Sequence, residues 1–251
     1  MSSAALISPM PVSAPAHTLA EHREALARRA AWRLEDASPE TIIRWAARTF
    51  GARFAVTSSM ADAVLIDLVA RNAPGTDVLF VDTGYHFLQT LTMRDAVAAR
   101  YRGRVHVVSV QPETTVAEQD RLIGRDLFAS DPDRCCSLRK VVPLDRALHG
   151  YEAWASGLRR DDSPSRARTQ VVDWDPRNAM VKVNPLARWS RPDIEAYVER
   201  HEILVNPLIH QGFPSVGCSP CTSAPSAGDA RPGRWAGRGK TECGLHSVLS
   251  P

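Results

Sequence analysis

The five cysteines of this chain divide into a tandem pair, Cys135-Cys136, a spaced pair, Cys218-Ser219-Pro220-Cys221, and a single thiol, Cys243, in the run Thr241-Glu242-Cys243-Gly244-Leu245-His246. Two pairs can supply four thiolates to one metal centre, which leaves Cys243 as a candidate nucleophile. The Cys218/Cys221 spacing is the common half-site of metal binding, because both thiolates reach one ion or cluster without strain. Adjacent side chains such as Cys135 and Cys136 normally point apart, so their use on one centre demands a special backbone, for example a tight turn entering a helix. Asp133 is the residue expected to cap that helix, whose positive end would favour thiolates. Zinc and an iron–sulfur cluster both suit four thiolates, ordinary buried cysteines are the alternative, and spacing does not choose among them.

Positive charge accompanies each thiol group. Lys140 follows Cys136 by one helical turn, which would bring its ammonium to the same helix face; a solvated lysine is the bland alternative. Arg159-Arg160, with Arg166 and Arg168, reads as an oxyanion clamp, because guanidinium forks match sulfate and phosphate oxygens; Asp161 and Asp162 could neutralise it instead. Arg231 and Arg234 form a second basic group near the lone cysteine. Lys240 and His246 would raise the thiolate fraction of Cys243, and Glu242 would lower it. The loop Thr57-Ser58-Ser59-Met60 offers hydroxyls ahead of a helix, as a phosphate site or a plain N-cap would, and lacks the glycines of a P-loop or dinucleotide fingerprint.

These residues need a scaffold. The chain has 251 residues and a formal net charge of +3, enough length for one main α/β domain and too little charge to argue for nucleic-acid binding. No apolar run approaches a membrane span, and the N-terminus is a poor signal peptide, so the expectation is a cytoplasmic protein without disulfides. Short apolar runs alternate with amphipathic stretches: Phe54-Ala55-Val56, a helix from Ala61 to Arg71, Val78 to Val81, a helix from Phe87 to Arg100, then Val105 to Val110. That order predicts a parallel sheet flanked by helices, with ligands beyond the strand carboxyl ends, where the loops holding Ser58, Ser59 and Thr83 gather. Two helices precede it, the second capped by Ser38-Pro39. Further strands are expected at Glu152 to Ser156 and Val181 to Val183, and a helix from Arg191 to His201. Residues 1–16 read as disordered, 17–211 as the α/β nucleotide-binding and cluster domain, and 212–251 as a segment that must lie against that domain or move.

Taken together, the chain resembles the assimilatory adenylyl-sulfate (APS) reductases, in wording most like actinobacterial members. The likeness runs from about Ala52 to His246 and rests on Cys135-Cys136-Ser137-Leu138-Arg139-Lys140-Val141-Val142-Pro143-Leu144, Gly157-Leu158-Arg159-Arg160, Gly217-Cys218-Ser219-Pro220-Cys221-Thr222, Gly233-Arg234-Trp235 and Glu242-Cys243-Gly244-Leu245-His246. The resemblance implies an adenine-nucleotide α-hydrolase-like sheet with a mobile C-terminal tail. It also implies a [4Fe–4S] cluster on Cys135, Cys136, Cys218 and Cys221. Relatives that reduce the 3'-phosphorylated substrate, PAPS, usually lack both pairs, so the four cysteines favour APS.

The implied chemistry is attack by Cys243 on the sulfur of APS, departure of AMP, and release of sulfite from S-sulfocysteine by thioredoxin, in sulfate assimilation and cysteine biosynthesis. Lys140, Arg159, Arg160, Arg231, Arg234 and His246 would supply positive charge, and Ser58, Ser59 and Thr83 would hold the nucleotide. A homo-oligomer is compatible with the sequence. Two departures stand out: Asp161-Asp162-Ser163-Pro164-Ser165-Arg166 where relatives often carry glutamine, serine and a further arginine, and Ala236 where a second tryptophan is common. The rival readings are a PAPS reductase, an iron–sulfur nucleotide-binding redox regulator with Cys243 as sensor, and a PP-loop ATPase, whose serine–glycine–glycine loop is missing.

Overall fold

The computed structural model describes residues 16–223, 233–235, 240 and 242–245. Two helices come first, α1 (Ala16–Leu34) and α2 (Pro39–Phe50). The second begins as expected: the Ser38 side chain accepts from Thr41 N, and Pro39 fills a first-turn position whose missing N–H costs nothing. The sheet then builds through β1 (Phe54–Thr57), α3 (Val64–Asn72), β2 (Thr76–Val81), α4 (Leu88–Arg100) and β3 (Val105–Val110). β1 and most of β2 are continuous apolar runs because helices cover both faces of the sheet. Short helices follow, α5 (Val116–Leu122), α6 (Leu127–Ser130), α7 (Pro132–Cys136) and α8 (Val142–Ala147), with Ser137–Val141 wound as a wider π-turn between the last two. The chain closes with β4 (Ala153–Ala155), β5 (Val172–Asp175), β6 (Met180–Val183), α9 (Arg191–His201) and α10 (Pro207–His210).

The six strands lie in the order β3-β2-β1-β4-β6-β5. All neighbours are parallel except β5, which pairs antiparallel with β6. Strands after β1 step outward one way and those after β4 the other, so the order reverses between β1 and β4. The loops leaving Thr57 and Ala155 therefore open a crevice there, the usual ligand position in such a sheet.

Several details differ from the sequence expectation. β5 was not foreseen, because Val-Asp-Trp-Asp is a half-buried edge strand without a long apolar run. The helix expected from Ala61 begins at Val64: Met60 takes a left-handed backbone, φ 59°, and the Asp62 carboxylate accepts from Val64 N at 3.0 Å, which uses up three residues as a turn. The cap of the cysteine helix is Asp131, accepting from Arg134 N at 2.9 Å, and not Asp133. Pro132 sets the helix start one residue after Asp131, which moves Asp133 into the first turn.

Candidate functional site

α7 and the π-turn solve the problem posed by adjacent cysteines. Helical backbone at Cys135 and Cys136 separates their side chains by about 100°, and both are buried. Cys218 precedes and Cys221 ends a single 3₁₀ turn, Ser219–Cys221, with Pro220 inside it. That turn is tied to the loop after β2: Ser219 N donates to Tyr85 O at 2.7 Å, and Cys218 forms an isolated antiparallel bridge with His86. All four thiols line one pocket, walled also by Tyr85, Phe128, Arg139, Lys140, Arg234 and Trp235.

Among the described residues no three His, Cys, Asp or Glu side chains are gathered as a single ion would need. A polynuclear cluster, in which each iron takes its own cysteine, uses thiols spread around a cavity. The donor set, four cysteines with no histidine or carboxylate, suits such a cluster.

Electrostatics divide the thiols. Burial pushes Cys135 up to about 12, and Cys136, Cys218 and Cys221 add to the rise. Burial takes Cys136 to about 11 against the pull of Lys140. Burial would also raise Cys218, yet Lys140, the Thr83 hydroxyl at 3.3 Å and Arg234 bring it below the ordinary thiol value. Lys140 is itself buried; that alone would lower it, but facing Cys218, Cys243 and Cys136 turns the shift upward. One ammonium thus acts on the paired cysteines and on the lone one. The π-turn widens the helix at that point, so its placement does not follow from simple α-helical spacing.

The other basic residues separate. Arg139, quoted in the motif but given no role from sequence, lies beneath the cavity, donating from Nη1 to Thr114 O and Gln119 Oε1, both at 3.2 Å, with its guanidinium 5.5 Å from the Tyr85 ring. Arg234 is buried over the Trp235 ring at 4.4 Å and donates to Cys221 O at 3.3 Å. Its guanidinium passes so close to Gly217 that a Cβ there would sit 2.4 Å away and would push the arginine head aside. Arg159 pairs with Asp162 at 2.6 Å and keeps a buried Nη1 without a hydrogen-bond partner among the described residues.

The four-guanidinium clamp expected after β4 is not assembled. Arg160 turns to Glu35 at 2.7 Å and to the Thr169 carbonyl, Arg166 holds Asp162 and Glu242, and Arg168 is exposed. Asp162 neutralises part of the loop, as the bland reading allowed.

Of the nucleotide candidates, Ser58 and Ser59 sit at the crevice after β1; the Ser58 hydroxyl accepts from Met60 N at 3.1 Å. Thr83 is fully buried with its hydroxyl on Cys218, so its side chain belongs to the cysteine cavity. His86, also missed, bonds Val81 O through Nε2 at 2.9 Å while its buried Nδ1 has no partner among the described residues; burial lowers its pKa. Cys243 is half-buried in electrostatic reach of Lys140 and Cys136. Glu242, read from sequence as unfavourable to that thiolate, has its charge taken by Arg166 at 2.8 Å. Arg231 and His246 lie outside the described residues.

A mostly parallel sheet whose strand order reverses between β1 and β4 is the frame of a nucleotide-handling α/β enzyme. Known proteins narrow the class. The phosphoadenosine phosphosulfate reductase domain matches residues 53–224. The adenosine 5'-phosphosulfate reductase of Mycobacteroides abscessus is 54% identical over 89% of this chain and 94% of its own. That of Streptomyces coelicolor is 56% identical over 90% and 95%. A crystal structure of phosphoadenylyl-sulfate reductase from Candida auris, in a phosphate complex, superposes with a TM-score of 0.67 at 27% identity, covering 78% of this chain and 96% of that one. The chain belongs to the phosphoadenosine phosphosulfate reductase family, on its adenosine 5'-phosphosulfate reductase branch. No described helix is long and apolar enough to cross a membrane.

Proposed function

We propose that this protein reduces adenosine 5'-phosphosulfate to sulfite and AMP in sulfate assimilation, with Cys243 as nucleophile and thioredoxin as the source of electrons. The observation that carries the reading is Lys140, buried, hydrogen-bonded to Cys218 and within electrostatic reach of Cys136 and Cys243. A thiolate attacking a sulfate ester brings two anions together, and a fixed cation where they meet is what the reaction requires.

In the first half-reaction the Cys243 thiolate attacks the sulfonate sulfur. An S–S bond forms, the S–O bond to phosphate breaks, and AMP leaves with the electron pair. Arg159, whose Nη1 has no hydrogen-bond partner among the described residues, and Arg234 are the described guanidiniums suited to the phosphosulfate of the substrate and then to the phosphate of the departing AMP; Arg231 and His246 are assigned the same role from the motif. Ser58 and Ser59, at the carboxyl end of β1, suit the nucleotide. In the second half-reaction a thioredoxin thiolate attacks Cys243 Sγ, sulfite departs, and the second thiol resolves the mixed disulfide.

Cys135, Cys136, Cys218 and Cys221 would hold a [4Fe–4S] cluster, which would supply fixed charge beside Lys140. The donor chemistry and the cavity between α7 and the Cys218 turn support that assignment. Iron and acid-labile sulfide near four atoms of each per chain are the expected outcome of anaerobic purification, falling sharply in Cys135→Ser; a stoichiometric zinc content would replace the cluster reading.

The direct test is sulfite release from APS and from PAPS with reduced thioredoxin. Preference for APS supports the reading. Preference for PAPS would show that the four cysteines do not mark the substrate, and nucleotide binding without sulfite from either would favour a redox regulator.

A further inference from the structure

The described end of the tail is gripped on both sides of Cys243 by arginines from two separate loops. Before it, the Glu242 carboxylate receives two parallel hydrogen bonds from Arg166, Nε to Oε1 at 2.8 Å and Nη2 to Oε2 at 2.9 Å, and Arg166 is braced by Asp162 at 3.1 Å. After it, the Gly244 carbonyl accepts from Arg177 Nη1 at 3.1 Å. Arg177 projects from the turn between β5 and β6, whose shape is fixed by Asp175, which accepts from Arg177 N at 3.1 Å and from the Asn178 amide at 2.9 Å. Leu245 then packs on the sheet face formed by Ala55, Leu79 and Trp154.

We infer that Arg166 and Arg177 are positioning residues that dock the tail for the first half-reaction and let it go for the second. The inference deepens the proposed function and rests on it. A thiol that must meet a substrate sulfur inside the crevice and then an external dithiol needs a grip that is specific but reversible. A fork-to-fork pair fixes the tail's register. The pair is largely buried, with side-chain exposures of 12% for Arg166 and 20% for Glu242, and is the firmer hold, whereas the second is one hydrogen bond from the exposed Arg177, the side from which the tail can be let go. The two loops flank the reacting residue without touching its thiol, so their removal should act on where the thiol is and not on what it is.

The test uses the intact, cluster-loaded protein with Arg166→Ala, Arg177→Ala and Arg177→Lys. The rate of Cys243 alkylation by iodoacetamide, a neutral reagent, is followed by peptide mapping. Each alanine variant should raise it about tenfold, the effect of losing one such charge-assisted contact, while Arg177→Lys stays near wild type. Loss of a nearby cation would by itself reduce the thiolate fraction and slow alkylation, so an increase reports exposure of the tail. Single-turnover AMP release from APS should fall, whereas release of sulfite from preformed S-sulfo-enzyme by dithiothreitol should hold or rise. Unchanged alkylation, or a fall in both half-reactions together, overturns the inference. Failure of wild type to release AMP from APS would sink the proposed function instead, and alkylation would still decide whether the grip exists.

Discussion

One face of the sheet is covered by α1, α2, α3, α4 and α9 around a continuous apolar core that includes Ile42, Ile43, Phe54, Ile66 and Phe80. The other, among the described residues, carries a smaller buried cluster, Ala55, Leu79, Val110, Leu144, Leu148, Trp154 and Met180, against which Leu245 of the tail packs and over which Lys182 lies. The alternation of side chains along β1, β2 and β4 feeds both faces from the same strands. The difference teaches where each property resides: the first face supplies cohesion, and the second supplies chemistry on a thinner apolar base. Substitutions on the two faces should therefore separate stability from activity.

The largest separation is expected at Cys243. Cys243→Ser removes the proposed nucleophile and should lower sulfite release by roughly 10⁴-fold or more, with thermal unfolding and AMP binding unchanged. A parallel fall in melting temperature would mean that the thiol is part of the packing.

Lys140→Met comes next. It keeps most of the side-chain volume and removes the charge that faces Cys218, Cys136 and Cys243. The first half-reaction should slow by about 10²–10³-fold, the scale of losing one preorganised electrostatic partner. Dithiothreitol reduction of preformed S-sulfo-enzyme should change far less, because no phosphosulfate charge is then present. Equal losses in both steps would place Lys140 in support of the tail and not of the transferring group.

On the opposite face, Ile66→Ala tests the other half of the contrast. Ile66 is fully buried in α3, and a large-to-small change there should cost about 2–5 kcal/mol in chemical denaturation. The folded fraction should retain near-normal turnover per active site. A loss of activity larger than the loss of folded protein would show that the first face also shapes the crevice.

The same contrast explains what could be read from sequence. β1 and β2 were legible because strands buried by helices leave short apolar runs, β3 because its run of valines is strand-like although most of it is not buried, and α9 because Pro192 marks its first turn. The grouping of four paired cysteines and the separateness of Cys243 were legible from spacing. Partners chosen across long stretches of chain were not: Arg160 with Glu35, Arg166 with Glu242, Arg177 with Gly244, and Thr83 with Cys218. Nothing in local periodicity selects which of several arginines meets which carboxylate. The π-turn that buries Lys140 and the edge strand β5 were hidden for a related reason, since each owes its form to tertiary packing.

The smallest effect isolates the cost of placing charge on the thinner face. Lys182 lies over the Trp154 ring at 4.9 Å; burial lowers its pKa to about 8, against the pull of Asp175 and Asp173. Below pH 8 both folded and unfolded chains hold this proton, and the fold carries the full cost of the buried ammonium. Between about 8 and the ordinary lysine value of 10.5 the folded chain releases the proton while the unfolded chain keeps it. The unfolded state then binds more protons, so this group's contribution to stability rises with pH across that window. Lys182→Met should therefore be more stable than wild type at pH 7, by about 1–3 kcal/mol, and the advantage should shrink as pH approaches 10. Melting curves of the two proteins at matched ionic strength measure it. A difference that is flat with pH would mean that the ammonium's contacts with Trp154, Asp173 and Asp175 offset its desolvation, and that this face tolerates charge as readily as solvent does.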